Sequence, residues 1–317
     1  MQTKDINLTG SAQQVMNQVR KAIVGKDNVL LWVLAAILAR GHILLEDIPG
    51  VGKTTMALAF SRVLDLSYSR MQFTPDVLPS DVTGFTIPDP KTGDMQYRPG
   101  AVVCNLFLAD ELNRATSRTQ SALLEAMEEG QVTVDGIRHE LPRPFIVIAT
   151  QNPTGAAGTQ LLPDSQMDRF TVRLSLGYPS ARDEAAMVLS RQGGNPLLGL
   201  QPLMTCRQLT ELQQCVEETF VSEPIVHYIV SLISATRQND QILQGASPRA
   251  TLAVTAMAKA VARLRGRDYV VPGDVREVFI HTTAHRLLLS PKAEAQGLTP
   301  EQILRDILEH TDAPKLR

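Results

Sequence analysis

The strongest chemical signal in this sequence is a loop of small residues that is suited to binding phosphate. It follows a short apolar run at 42–45 and precedes a helix-compatible segment. Backbone N–H groups of the loop and the positive end of the helix dipole can therefore converge on an anion. Lys53 would reach the β- and γ-phosphates of a nucleotide, and the Thr54 hydroxyl would hold Mg²⁺. The residues predicted to contact the nucleotide here are Pro49, Gly50, Val51, Gly52, Lys53, Thr54 and Thr55.

The loop departs from the strict phosphate-loop pattern at one position. That pattern places a glycine six residues before Lys53, and this chain has Asp47 there. Pro49, Gly50 and Gly52 still supply the turn. A Gly-Lys-Thr triplet can arise by chance, but here it stands in the order apolar run, loop and helix. Nucleotide binding is therefore predicted.

An acidic pair marks the second half of the predicted site. Residues 102–109 are almost continuously apolar, which is typical of a strand buried on both faces, and Asp110 and Glu111 follow directly. Taken alone, the pair could be a solvated strand end. Beside a phosphate loop, Asp110 can hold Mg²⁺ through water and Glu111 can polarise the attacking water.

Asn152 follows a third strand-like segment, residues 145–150. From a neighbouring strand end it could orient the same water molecule. As an isolated asparagine before a proline, it would be only a turn residue.

The elements that must position these residues alternate between strand and helix in the first part of the chain. Strand-like segments occur at 42–45, 67–73, 102–109, 145–150 and 170–176, and this alternation predicts a parallel sheet covered on both faces. Ligands bind such sheets at the carboxyl ends of their strands. After residue 179 the strand signals stop, and helical patterns follow at 205–220, 223–238, 248–265, 273–287 and 300–310. We therefore expect two domains, 1–178 and 179–317.

Several motifs together resemble the AAA+ ATPases, and more narrowly the MoxR group. The runs are LLEDIPGVGKT, DELNRATSRTQSALLEAMEEGQVTVDG, IATQNP and LPDSQMDRF, joined by the triplet Ser247-Pro248-Arg249. The resemblance accommodates Asp47, which belongs to that group's own pattern. It implies an α/β fold: an AAA+ core with a parallel sheet sandwiched by helices, followed by a smaller all-α lid domain. It also implies ATP or ADP and Mg²⁺ as ligands, and ATP hydrolysis as the reaction.

The resemblance assigns roles to four further residues. Val24 and Gly25 correspond to the AAA+ element that holds adenine, although the residues alone fit an ordinary helix-entry turn equally well. Arg169 resembles an arginine finger that reaches the γ-phosphate in a neighbouring subunit; the alternative is a solvated pair with Asp168. Arg249 resembles a γ-phosphate sensor acting in its own subunit. A cation at the start of a helix is unfavourable with respect to the helix dipole. This position therefore suggests a functional role for Arg249, and the alternative is an ordinary surface arginine.

Two segments are candidates for contact with a client protein. Residues 75–100 are rich in proline and glycine and resemble an insertion into the second core helix. Residues 131–140 predict a hairpin around an Asp135-Gly136 turn. Either segment could instead be a surface feature without a partner.

Composition narrows the class of protein. The formal net charge is −2, so the chain lacks the excess of positive charge that attracts nucleic acid. No nucleic-acid partner is therefore expected. Three cysteines without a CxxC pair, and the lack of an apolar leader or a long apolar span, predict a cytoplasmic protein without membrane insertion.

The resemblance thus predicts a MoxR-type ATPase that assembles with copies of itself into a ring, a hexamer. By resemblance, it would remodel or mature partner complexes in a chaperone-like way, often with proteins that carry a von Willebrand factor A domain. The alternatives are a metal-chelatase motor subunit and a nucleotide-binding switch with little hydrolysis. A DNA-loading role is weaker still.

Overall fold

The computed structural model describes residues 8–152, 162–192 and 194–315. Its strands are β1 Ile43–Glu46, β2 Tyr68–Gln72, β3 Gly84–Pro88, β4 Met95–Pro99, β5 Leu106–Asp110, β6 Gln131–Val134, β7 Ile137–Glu140, β8 Ile146–Gln151, β9 Val172–Leu174, β10 Ile242–Gln244 and β11 Leu288–Leu289. Its helices are α1 Leu8–Val19, α2 Asp27–Leu38, α3 Lys53–Val63, α4 Pro79–Thr83, α5 Ser117–Glu129, α6 Asp164–Met167, α7 Ala181–Gln192, α8 Cys206–Glu217, α9 Glu223–Gln238, α10 Pro248–Leu264, α11 Pro272–Thr283, α12 Pro291–Ala295 and α13 Pro300–His310.

Five strands form the predicted parallel sheet, in the order β2-β5-β8-β1-β9. All four neighbouring pairs are parallel, so β1, β5 and β8 end on the same side of the molecule. The predicted strands and their order in the chain are confirmed. The third strand is shorter than expected, because residues 102–104 form a turn before β5 begins.

Apolar side chains cover both faces of the sheet. Ile43 and Leu45 face one hydrophobic cluster, whereas Leu44 between them faces the other. This alternation is the two-residue period of a strand, and both sets are buried because helices cover both faces. The predicted sandwich of sheet and helices is therefore confirmed.

The apolar segment at 29–39 makes up most of helix α2, Asp27–Leu38. Eight of its twelve residues are buried. No helix within the described ranges is both long and apolar enough to cross a membrane.

The carboxyl-terminal part is largely helical, and α8, α9, α10, α11 and α13 match the predicted helices closely. Thr299 and Gln302 form the capping box that begins α13. The expectation of no strands there was wrong, since β10 and β11 pair in a small antiparallel sheet. Apolar residues of these helices join α1–α3 in one continuous cluster with one face of the large sheet. The division of the chain at residue 178 stays a prediction.

Both predicted insertions are ordered and pack together. Residues 75–100 contain α4 and the antiparallel pair β3–β4, and 131–140 form the hairpin β6–β7, in which Asp135 and Gly136 both have positive φ. The Tyr97 and His139 rings stack with centroids 3.7 Å apart. The Thr86 hydroxyl also hydrogen-bonds the Asp135 carboxylate. The two hairpins therefore form one surface feature.

Candidate nucleotide site

The predicted phosphate loop connects β1 to α3 at the carboxyl end of the sheet. Gly50 and Gly52 have φ of 86° and 100°, a region that L side chains rarely adopt. A Cβ added at either position would meet no atom within 4 Å, so the loop faces open space. Gly52 is the N-cap of α3, and its neighbours Lys53, Thr54 and Thr55 form the first turn. The loop therefore has the shape and the helix end that a phosphate requires.

Lys53 is buried, and its ammonium group is already oriented by the loop. Nζ donates to the carbonyl oxygens of Asp47 (2.7 Å) and Ile48 (3.2 Å). Burial lowers the pKa of Lys53, while the negative charges of Asp47, Asp110 and Glu111 oppose that shift. The loop lysine and the acidic pair thus lie within one electrostatic environment.

Asp47, the departure from the strict pattern, joins the loop to the edge strand β9. Its carboxylate accepts hydrogen bonds from the Ser175 hydroxyl (2.7 Å) and from the backbone N–H groups of Leu176 (2.5 Å) and Gly177 (2.9 Å). A glycine could accept none of these bonds. The aspartate therefore fixes the start of the loop against the chain that leads to the lid.

Asp110 ends β5, and β8 lies between this strand and β1, from which the loop starts. Its carboxylate accepts from the Thr150 hydroxyl (2.7 Å) and forms an ion pair with Arg70 (2.7 Å). No pattern in the sequence indicated either partner. Only the strand order could have indicated Arg70 and Thr150. Because β2 and β8 lie on either side of β5, residues near the carboxyl ends of these two strands adjoin Asp110.

Glu111 stands next to Asn152, as the strand order requires. Its backbone is left-handed, with φ of 55°, and its N–H donates to the Thr150 hydroxyl (2.9 Å). This unusual conformation directs the carboxylate toward the Asn152 amide (3.3 Å) and the Arg114 guanidinium (2.8 Å). Such strain is typical of functional positions.

The Val24-Gly25 element lies beside the chain that follows β9. A Cβ at Gly25 would lie 2.2 Å from Cγ of Asp183, and Lys26 donates to the carbonyl oxygen of Tyr178 (2.8 Å). Because Gly177, next to Tyr178, is bound to Asp47, the element borders the phosphate loop. This position is compatible with contact to a nucleotide base.

Arg169 lies at the opposite, amino end of the sheet. The Thr171 N–H donates to the His42 carbonyl oxygen (2.8 Å), so β9 starts level with β1. The loop begins only after the four residues of β1, about 13 Å further along the strand direction. Arg169 instead pairs with Glu128 at the end of α5 (3.3 Å).

Arg249 belongs to the same group of charges. Its guanidinium also binds Glu128, and it lies 4.0 Å from the Asp168 carboxylate. Its expected action on the nucleotide of its own subunit stays a prediction, and its described charge partners are Glu128 and Asp168. Its neighbour at the amino end of the sheet is Arg169, because Glu128 holds both side chains.

Asp168 anchors the lid to this end of the sheet. Its carboxylate accepts from the Ser247 hydroxyl (2.9 Å), which is also the N-cap of α10, and pairs with Arg286. Arg286 and His285 both donate to the Phe170 carbonyl oxygen, at 2.7 and 2.9 Å. Arg169 is therefore flanked on both sides by residues that the lid holds. No pattern in the sequence indicated Arg286.

Comparison with known proteins identifies the family that this chain resembles. The profile of the ATPase family associated with various cellular activities (AAA) matches residues 42–172, and that of the AAA lid domain matches residues 234–307. YeaC, an uncharacterized protein of Bacillus subtilis (strain 168), is 44% identical over 98% of this chain and 96% of its own. Chaperone MoxR1 of Mycobacterium tuberculosis (strain ATCC 25618 / H37Rv) is 39% identical over 96% of this chain and 82% of its own.

A solved structure shares the whole architecture. The crystal structure of a candidate ATPase from Cytophaga hutchinsonii ATCC 33406 superposes with a TM-score of 0.90 at 36% identity. The match covers 97% of this chain and 96% of that one.

Proposed function

This chain belongs to the MoxR family of AAA+ ATPases, and on that premise we propose that it hydrolyses ATP in a homo-oligomeric ring, a hexamer by family resemblance, with each site shared by two subunits. The observation that carries the proposal is the separation of two sets of residues. Lys53, Asp110, Glu111 and Asn152 lie at the carboxyl end of the sheet, whereas Arg169 lies at its amino end. One chain cannot bring both sets to one nucleotide, but two adjacent chains can.

Within one subunit, the carboxyl end would bind ATP and prepare the attack of water. Lys53 neutralises charge on the β- and γ-phosphates once it exchanges its loop carbonyl partners for phosphate oxygens. Glu111 would polarise the attacking water. Asn152 donates a hydrogen bond to the Glu111 carboxylate and would orient both this carboxylate and the water. Val24 and Gly25 would border the adenine.

Thr54 and, through water, Asp110 are the proposed residues for Mg²⁺. The Asp110 carboxylate fits this role, since it offers about four lone-pair sites and its two described partners, Arg70 and Thr150, leave acceptor capacity. When bound, the ion would neutralise charge on the β- and γ-phosphates.

Arg169 and Arg249 would both act in trans, entering the site of the next subunit. Each would exchange Glu128 for the γ-phosphate, where cationic donors stabilise the charge of the transition state. Because the lid holds Asp168 and Phe170, a lid movement driven by hydrolysis would move Arg169 with it. The nucleotide state of one subunit would in this way reach its neighbour.

The proposed output is chaperone-like remodelling or maturation of partner complexes, and by family resemblance those partners include proteins with a von Willebrand factor A domain. The joined insertions are the proposed client surface. Their strands leave Phe85, Met95 and Ile137 exposed, and exposed apolar side chains on ordered hairpins suit contact with another chain.

The test is turnover by mixed subunits. ATP turnover per subunit should rise with protein concentration in the wild type, and Glu111→Gln and Arg169→Ala should each be nearly inactive alone. Mixed before nucleotide is added, they should regain part of the wild-type turnover. Each Glu111→Gln subunit can lend Arg169 to a neighbour whose Glu111 is intact.

A second mixture tests Arg249. Arg249→Ala with Glu111→Gln should also regain turnover if Arg249 acts in trans, and should not if it serves its own subunit. A wild-type turnover that is high at every concentration and insensitive to Arg169→Ala would overturn the shared site. Binding without turnover at any concentration would favour the nucleotide switch.

A further inference from the structure

Helix α7, Ala181–Gln192, packs unlike the other long helices of the described chain. None of its twelve residues is buried, although it contains several apolar side chains. Val188 is 58% exposed and Leu189 is 63% exposed. A helix gains most of its stability from burying an apolar face. The partner for this face must therefore come from outside the described part of this chain.

The apolar stripe of α7 points away from its own subunit. Apolar positions recur at the spacing i, i+4, i+7 and i+8, which forms one face of a helix. The members of this α7 stripe are Ala181, Ala185, Val188 and Leu189. Asp183 lies on the opposite face, and its carboxylate is the group that meets Gly25. Usually the apolar face of a helix packs against its own core. Here the described contact with the rest of the subunit is made by a polar side chain, Asp183, and the apolar stripe stays exposed.

The first turn of α7 borders the candidate nucleotide site. Gly25, which Asp183 contacts, belongs to the predicted adenine element, and Tyr178 just before the helix accepts a hydrogen bond from Lys26. A neighbour that delivers Arg169 to this nucleotide must approach beside α7.

The opposite face of the molecule offers a groove next to the arginines. Arg249, Leu252 and Ala256 lie at i, i+3 and i+7 of α10, and so on one helix face. Leu252 is 72% exposed. Beside it is a cavity of about 300 Å³ between α2, α8 and α10. We call this the Leu252 groove; its apolar lining includes Leu38, Ala39, Val216, Leu252 and Ala256.

We propose that the α7 stripe of one subunit docks into the Leu252 groove of a second copy of this chain. The proposal rests on the proposed ring, because the shared site defines which faces meet. If Arg249 enters the neighbouring nucleotide site, Leu252 on the same helix face comes to the margin of that site. The α7 stripe starts at this margin.

The area that a stable interface needs also favours a second copy of this chain as the partner that fills the Leu252 groove. A specific contact buries about 800 Å² on each partner. Two arginines and a nucleotide supply only part of that area. An apolar helix face and an apolar groove on either side of the arginines extend the contact in the way that a head-to-tail ring requires.

Single charges on the two surfaces test the contact. Leu189→Asp and Leu252→Asp should each raise the protein concentration for half-maximal turnover by about 10- to 100-fold, since a buried leucine becomes a buried charge. Ser190→Asp is the matched control, because it adds the same charge to the other side of α7. Sedimentation velocity should show rings for the wild type and the control, and smaller species for the two leucine variants. All four proteins should bind a non-hydrolysable ATP analogue with equal affinity.

Mixing the two leucine variants identifies the pairing. A Leu189→Asp subunit keeps its groove and a Leu252→Asp subunit keeps its stripe, so the mixture should form heterodimers that neither variant forms alone. Assembly of Leu189→Asp equal to that of Ser190→Asp, in a wild type whose turnover still depends on Arg169, would overturn this proposal alone. Equal disruption by Ser190→Asp, or absence of heterodimers, would also overturn it. A wild type that stays monomeric would overturn the ring as well.

Discussion

At the carboxyl end of the sheet, carboxylates surround one buried lysine, whereas at the amino end two arginines share one glutamate. Lys53 is held by loop carbonyl oxygens and is buried. The side chain of Glu128 is 44% exposed, and both arginines that bind it are also partly exposed. Exposed ion pairs contribute only about 0–1 kcal/mol. One end is therefore preorganised for a ligand, and the other holds its cations loosely enough to release them.

Removing a cation from the amino end should have the largest effect. Arg169→Ala is expected to lower the maximal turnover by about 10³–10⁵-fold, the value of a trans-acting finger in other nucleotide hydrolases. ATP affinity of the isolated subunit should not change, because Arg169 is remote from its own loop. Assays of phosphate release measure the maximal turnover, and equilibrium binding of a fluorescent ATP analogue measures the affinity. A parallel loss of binding would place Arg169 at its own nucleotide and break the comparison.

At the carboxyl end, Glu111→Gln should lower turnover by about 10²–10⁴-fold, the usual contribution of a general base. The amide keeps the shape and can still hydrogen-bond Asn152, so binding and assembly should persist. Single-turnover kinetics on assembled protein would isolate the chemical step. An unchanged rate would remove Glu111 from the mechanism.

His42 makes the stability of the amino end dependent on pH. Its Nδ1 accepts the Val147 N–H (3.0 Å) and Nε2 lies 3.0 Å from the Met127 carbonyl oxygen, so the ring is neutral. Burial lowers the pKa of His42 to about 4. The unfolded chain, with a pKa near 6.5, binds the proton first, so stability is lost as pH falls from about 6.5 to about 4. At about 1.36 kcal/mol for each pH unit, the loss reaches about 3 kcal/mol.

Thermal unfolding across that pH range measures this loss. His42→Gln removes the titrating group, and its stability should fall less steeply with acid than that of the wild type. Part of the slope should remain, because burial also lowers the pKa of His285 well below its usual value. Parallel slopes for the two proteins would contradict the assignment.

The smallest expected effect is that of Glu128→Gln, which removes the carboxylate that both arginines share. Release of Arg169 and Arg249 becomes less costly, so the protein concentration for half-maximal turnover should fall by up to about fivefold. The neighbouring Glu129→Gln is the control, since Glu129 binds Gln131 and neither arginine. A requirement for more protein in the Glu128 variant would mean that this glutamate positions the arginines instead of restraining them.

Local pattern sufficed for most of the fold and for the carboxyl end of the site. A loop is encoded by adjacent residues, and the carboxyl ends of parallel strands lie at one edge of a sheet. The sequence therefore placed Lys53, Glu111 and Asn152 close together. Their partners Arg70 and Thr150 were out of reach, because pairing depends on register between strands far apart in the chain.

The sequence by itself determined a parallel α/β core with a phosphate loop and an acidic pair, followed by a helical region, because each follows from short-range periodicity and turn chemistry. Only the tertiary structure decided where the arginines point. Glu128, Asp168, Arg249 and Arg286 come from four separate segments, and their meeting depends on how the lid packs against the amino end of the sheet. The exposure of the apolar face of α7 could not be predicted for the same reason. Periodicity shows that a helix has an apolar face, and only packing shows whether that face is buried.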